Sequence, residues 1–455
     1  MTLDRRAFLK ASSATLACAS LGGMTSLLTS IKAHARQSSD YKALVCLFLY
    51  GGMDNHDTVI PYDADSYQQW ATIRSDIISQ QLAPRTRDTL LPLTPLNSAQ
   101  FGNRQFALPA EFKHLHRLFE EGNAAIIGNV GPLIETANAT SFNEESVKLP
   151  PRLFSHNDQQ ATWMSGTTEG AQYGWAGLYS DAITQSNNTF ANITTSGGEL
   201  LLTGRNTSPY IISGGKALGL DVIDEADDEL KATLAKHFNA DYFHGNGLLA
   251  QDMKTKISQS FTANNQYNEA TADAPNIATQ FPSTRLGKQL ETVAKTIAAR
   301  DSLGNNRQVF TIALGSFDTH SEQARTLPRL QQQIDTSIAA FYQAITEMGL
   351  QNNITLFSAA DFGRTLATNG DGTDHGWGAH HFVVGGAVAG RQIYGDIPES
   401  TLGHALDAGS GRLIPTQSVD QYAAALGQWF GVEQDELNAI FPNLNQLGQP
   451  PKLFG

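Results

Sequence analysis

Cysteine is almost absent: the chain of 455 residues holds two, Cys18 and Cys46. Two thiols cannot build a disulfide framework, a thiolate zinc site or an iron–sulfur cluster, and no Cys-x-x-Cys pair occurs. No G-x-G-x-x-G follows a candidate strand, which removes the usual dinucleotide fingerprint. Basic residues are also scarce, 31 against 44 acids, for a net charge of −13. Residues 1–35 hold four of the bases and one of the acids. Residues 36–455 therefore keep 27 basic and 43 acidic side chains, a net −16. A body that acidic repels phosphate backbones, so nucleic acid is not an expected partner. Internal repeats and low-complexity tracts are lacking too. What remains is 41% hydrophobic and 16% charged, enough apolar material for a sizeable core.

The N-terminus is strongly patterned. Asp4 to Lys10 reads DRRAFLK, and a weakly apolar run follows from Ala11 to Ile31. Ala33 to Ala35, AHA, is a small-x-small cleavage signature. The run is interrupted by Ser, Gly and Thr and lacks the density of a membrane span. The segment resembles a twin-arginine export signal. That resemblance implies a bacterial chain that the twin-arginine machinery exports already folded, often with a metal or cofactor in place. Residues 1–35 are thus expected as a signal peptide and 36–455 as a periplasmic or secreted domain without a stable membrane span. Cys46 is then its single thiol, expected inside a strand.

Beyond residue 40 the chain alternates strands and helices. Ala43 to Tyr50 is a continuous apolar run closed by Gly51 and Gly52, the pattern of a buried parallel strand. A helix opening at Pro109 and closing at Gly122 precedes a strand from Ala124 to Gly128. Val309 to Leu314 and Ile354 to Ser358 give two more strands, joined by a helix from about Leu327 to Met348. HFVVGGAVAGRQIYG reads as a later strand pair, and Ser418 caps a helix ending at Gly431. This order predicts an α/β fold, a mostly parallel sheet flanked by helices on both faces. Residues 197–300 are more polar and are expected as a helical insertion or cap, with a loop from Thr262 to Asn276.

Three of these strands end in a carboxylate: Asp54, Asp318 and Asp361. His56 and His320 follow two of them, and the stretch DGTDHGWGAHH adds Asp374, His375, His380 and His381. Ligands of open α/β sheets bind beyond the carboxyl ends of the strands. Aspartate and imidazole without thiolate suit zinc, manganese or iron, and calcium is a further candidate. His380 and His381 open a strand, so one of the two is expected to face the site. His114 and His116 sit two apart on a helix and point away from each other, so they cannot chelate together.

The segments FLYGGMDNHDTVIP, RLFSHNDQQATWMSG, GSFDTHSEQ and SAADFGRTLATNGDGTDHGWGAHHFVVGGAVAGRQIYG resemble the DUF1501 family over nearly all of residues 36–455. That family looks like a distant branch of the alkaline phosphatase and sulfatase superfamily. The resemblance implies an alkaline-phosphatase-like α/β core, one or two divalent metals, and hydrolysis of small anionic phosphate or sulfate esters. A non-catalytic metal-binding or scaffolding protein on the same fold is the alternative.

Carried over by residue, the metal ligands implied are Asp54, Asp318, His320, Asp361 and His375, with Asp374 or His380 as substitutes where Phe362 replaces a superfamily histidine. SHNDQQATWMSG resembles the helix that carries the nucleophile. Aligning on Trp163 and Gly166 puts His156 in that slot, with Ser155 one residue before it; either could be the reactive group. Arg364 has the planar fork of an anion clamp.

Overall fold

The carboxyl ends of three adjacent parallel strands bring Asp54, Asp318 and Asp361 to one rim. The structure is a computed structural model that describes residues 41–81, 84–167, 170–183, 189–196, 200–217 and 248–455, with isolated positions 229, 230 and 233. The expected signal peptide lies outside the described residues. We number the strands of the main sheet β1 (Lys42–Leu49), β2 (Ala124–Gly131), β3 (Asn192–Thr194), β4 (Tyr210–Ser213), β5 (Lys216–Ala217), β6 (Arg307–Leu314), β7 (Ile354–Ala360), β8 (Ala379–Val384), β9 (Ile393–Gly395) and β10 (Gln417–Ser418). The order across the sheet is β9-β2-β8-β7-β1-β6-β3-β4-β5, and β10 extends β9 along the same edge of β2.

β1 is the centre, parallel to β7 on one side and β6 on the other. Its residues Ala43 to Leu49 are buried, as a strand covered on both faces requires. Only β8 within the body and β5 at the edge run against their neighbours. The expected later strand pair is therefore corrected: β8 and β9 do not pair with each other but flank β2.

Side chains alternate across β1. Leu44, Cys46 and Phe48 join a core with Trp163, Trp175, Tyr179, Tyr422 and Leu426, from helices His156–Ser165, Trp175–Ile183 and Val419–Phe430. Helices Lys113–Glu120, Arg285–Ala298 and Gln323–Glu347 pack together, and cover the opposite face. The Arg285–Ala298 helix buries Leu286, Leu290, Val293 and Ile297, one stripe at helical spacing.

The segment 197–300 supplies β4 and β5 to the sheet as well as helices, and most of 218–247 lies outside the described residues. The loop expected from Thr262 is a correction: helix Leu248–Ala272 runs through it. Ala263, Tyr267 and Ala270 form a buried stripe there, and Tyr267 Oη meets Thr296 Oγ1 at 2.7 Å. Among the described residues no helix is long and apolar enough to cross a membrane.

Glycine is what lets the strand ends close on one another. Gly51 has φ +109°, and a Cβ there would sit 2.3 Å from the backbone nitrogen of Asp318. Gly52, at φ +83°, lies against the ring of Phe362. No other residue permits both the conformation and the approach.

Candidate metal centre

His156 is the first residue of its helix, and its ring reaches the end of β7. Nδ1 lies 2.5 Å from Oδ2 of Asp361, whose side chain is fully buried. The same oxygen accepts from the Gly51 amide at 3.1 Å and from Gln160 Nε2 at 2.9 Å. Gln160 stands one helical turn after His156, so the two side chains share a face. The hydrogen bond to Asp361 holds the His156 pKa above its ordinary value against the opposing effect of burial. The second oxygen of Asp361 is buried and has no hydrogen-bond partner among the described residues.

Asp318 is the focus. Its Oδ1 accepts from Arg364 Nη1 at 2.7 Å and lies 3.1 Å from both His375 Nε2 and His320 Nε2. Its Oδ2 is 3.4 Å from His156 Nε2. Burial pushes its carboxyl up, but Arg364 and the imidazoles outweigh that and hold it below the usual range. The side chain is 41% exposed, so the cluster is open to solvent.

His375 ends the second strand of a ribbon, Arg364–Thr368 paired with Thr373–His375. Its Nδ1 is 2.8 Å from the carbonyl of Phe154, and its Nε2 is 2.9 Å from Nε2 of His320. Burial lowers the His375 pKa. His320 Nδ1 lies 3.2 Å from Oδ1 of Asp374. Phe154 has φ +70°, a left-handed conformation uncommon for a bulky residue, and this turn aims its carbonyl at the imidazole.

One pattern runs through all three rings. Each Nδ1 faces an oxygen acceptor, from Asp361, Phe154 or Asp374. With its proton on Nδ1, a ring so placed presents an Nε2 lone pair, the tautomer a metal ligand uses. Each Nε2 in turn faces Asp318. Three such nitrogens and a carboxylate gathered this closely need protons or a cation among them. Imidazole held by an oxygen behind it is the usual dress of a metal ligand. Ligand atoms of His156, Asp318 and His375 all lie within 4.8 Å of one another. The residues fit a divalent ion, and an imidazole-rich set suits zinc, manganese or iron better than calcium.

Other expected site residues have different work. Asp54 is corrected: both oxygens are held by Arg74, with Nη2 at 2.8 Å, and Oδ2 also accepts from Gln323 Nε2 at 2.5 Å. No lone pair of Asp54 is turned toward the cluster. Arg364 is corrected as well. It is fully buried, with Nη1 on Asp318 and the Gly51 carbonyl, and Nη2 and Nε on Thr373. Its fork is spent on protein oxygens and aims Asp318 rather than clamping an anion.

His380 is buried in β8, where Nδ1 accepts from the Asn129 amide at 3.0 Å, and burial drives its pKa well down. It does not join the cluster. Neither does His381, whose Nδ1 meets Ser358 Oγ at 3.2 Å, or His56, which burial pulls to about 4. Asp374 stands behind His320 as its support. Asp361 stands behind His156 in the same way, while its free oxygen leaves a ligand role open. Ser155 occupies the N-cap position without capping, and its hydroxyl donates to Asp158 Oδ2 at 2.9 Å.

Sequence reasoning missed Gln160 and the Phe154 carbonyl. The i, i+4 spacing of His156 and Gln160 signals the first; nothing in the residue type signals the second. Phe362 is buried with its ring 4.8 Å from that of His156 and 4.6 Å from that of His375. It walls the cluster with carbon.

A mostly parallel sheet with an imidazole–carboxylate cluster at its carboxyl rim defines an α/β protein with a candidate metal centre. The chain belongs to the DUF1501 family, described as a protein of unknown function, which matches residues 41–440. No curated protein matches the sequence significantly. Solved structures with a similar trace include the sulfatase PsFucS1 from Pseudoalteromonas sp., 10% identical, covering 93% of this chain and 75% of that one, with a TM-score of 0.39. The structure of Ps i-CgsB in complex with k-i-k-neocarrahexaose is 9% identical, covers 90% and 77%, and has a TM-score of 0.36. The lipoteichoic acid synthase LtaP from Listeria monocytogenes is 8% identical, covers 88% and 76%, and has a TM-score of 0.33. Scores this low say nothing about chemistry, which rests on the cluster itself.

Proposed function

We propose that this chain is an exported hydrolase of phosphate or sulfate esters, with a divalent ion, zinc first, held by His156, Asp318, His320 and His375. The observation that carries the metal is the triple arrangement of imidazoles, each backed by an oxygen and each presenting Nε2 to Asp318. The ester class draws on the sequence resemblance. When bound, such an ion supplies Lewis-acid polarisation and a lowered pKa for water. The chain's own residues do the positioning. Arg364 aims Asp318, Asp361 and Asp374 hold the protons of His156 and His320, and Phe362 keeps water from one side.

The test is elemental analysis of purified protein, with hydrolysis of nitrophenyl phosphate mono- and diesters and nitrophenyl sulfate before chelation, after it, and after metal return. Stoichiometric metal and chelator-sensitive turnover support the reading. Absence of both, even after loading with zinc, manganese or iron, overturns it. Metal without turnover selects the second reading, a binding protein, which the burial of Arg364 and the engagement of the Ser155 hydroxyl favour. Export rests on Arg5 and Arg6 in DRRAFLK. Replacing both with lysine should retain the protein in the cytoplasm, and unchanged export would remove that part.

A further inference from the structure

A second site lies at the far end of the helix that presents His156. Thr162 stands six residues along it, about 9 Å at helical rise. A cavity of about 150 Å³ opens there, between the end of this helix, the first turn of the Val419–Phe430 helix and the chain at 132–134 and 150–151. Its walls include Leu133, Pro150, Pro151 and Val419. Asp420 is the one charged side chain among the described residues that line it.

Asp420 is 8% exposed and makes no hydrogen bond or ion pair with any described residue. The hydroxyls of Thr162 and Tyr179 are occupied elsewhere. Thr162 Oγ1 donates to the Asp158 carbonyl at 2.8 Å, and Tyr179 Oη to the Ala423 carbonyl at 2.8 Å. Even a Cβ added at Gly166 would stay 3.9 Å from Asp420 Oδ1. Burial alone, with no compensating cation, pushes this carboxyl up to about 7. A buried carboxylate without a partner is costly, and a counter-charge relieves the cost.

A bare metal ion is a poor occupant. Hard cations need six or more oxygens, and prolines and aliphatic side chains supply few. The Pro132 carbonyl is already taken by Trp377 Nε1 at 2.9 Å. An organic ammonium matches both halves, N–H donors for the carboxylate and methylenes for the walls. A cavity of this volume holds a molecule of about six heavy atoms.

We infer that this cavity binds a small primary organic ammonium ion, its charged head on Asp420 and its hydrocarbon part against Leu133, Pro150 and Pro151. The test is calorimetric titration of the full chain with n-butylammonium, n-butanol and butyrate at pH 8 and fixed ionic strength. Butylammonium should bind one to one, and the alcohol and the acid at least about tenfold more weakly. Asp420→Asn, which keeps the shape and removes the charge, should weaken butylammonium by about tenfold while leaving metal content unchanged. Equal binding of the ammonium and the alcohol to the unmodified chain overturns the inference without recourse to any variant. So does unchanged affinity in a folded Asp420→Asn protein, or no saturable binding of butylammonium at all.

Discussion

The Nδ1 of His156 and Oδ2 of Asp361 are 2.5 Å apart, and the other Asp361 oxygen is sealed without a partner among the described residues. A carboxylate behind an imidazole fixes its tautomer and raises its basicity. Asp361→Asn should therefore weaken zinc affinity by about 10–100-fold, read by competition with a chromophoric chelator. An unchanged affinity would mean that His156 is not aimed at a metal by this contact.

Asp54 and Asp318 both follow strands, yet they should respond in opposite ways to the same change. Asp54→Asn breaks a buried pair with Arg74 and should cost about 3–5 kcal/mol in urea unfolding, with metal stoichiometry kept. Asp318→Asn should abolish stoichiometric metal at much smaller cost to the fold. Burial pushes the Asp54 carboxyl up, but Arg74 draws it below its ordinary value on balance. Its stabilisation is thus fully present above pH ~4 and is lost as pH falls through the depressed value. Loss of metal on Asp54→Asn in folded protein would restore it as a ligand.

The Ser155 hydroxyl is committed to Asp158. Ser155→Ala should cost about 1 kcal/mol of stability and leave the rate of ester hydrolysis within about fivefold. A loss of several hundredfold, with metal content intact, would make Ser155 the nucleophile after all.

Asp420 gives the pH signature of an acid whose folded pKa is raised, from 3.8 to about 7. The folded chain binds the proton more tightly, so stability is full below pH ~4 and falls as pH rises toward 7. Tyr179 is the titratable group whose charge couples to it. Asp420→Asn should be neutral near pH 3.5 and stabilising at pH 8, by up to roughly 4 kcal/mol. Urea melts of both proteins at the two pH values check this. Equal stability at pH 8 would show that Asp420 ionises without cost.

The rim was legible because strand ends in a parallel sheet fall together, and β1, β6 and β7 proved adjacent. That placed Asp318 and Asp361 near each other from sequence alone. The capture of Asp54 was not legible, since it depends on Arg74, the turn residue between helices Ala64–Ile73 and Ser75–Ile78, and on Gln323, distant by 269 positions. The same holds for Arg364, whose fork closes on Thr373 only once the ribbon forms. His380 failed for a different reason: alternation along β8 cannot say which face meets the rim until the partners of that strand are known. The twist of Phe154 into a left-handed turn has no trace in residue type.

Cys46 lies in the central strand with no exposed surface. In the chain beyond residue 35 it is the single sulfhydryl, so no disulfide can form within residues 36–455. It also provides an intrinsic reporter. A maleimide can reach that sulfur only when β1 leaves its neighbours, so the labelling rate measures the opening of the whole core rather than of any surface loop.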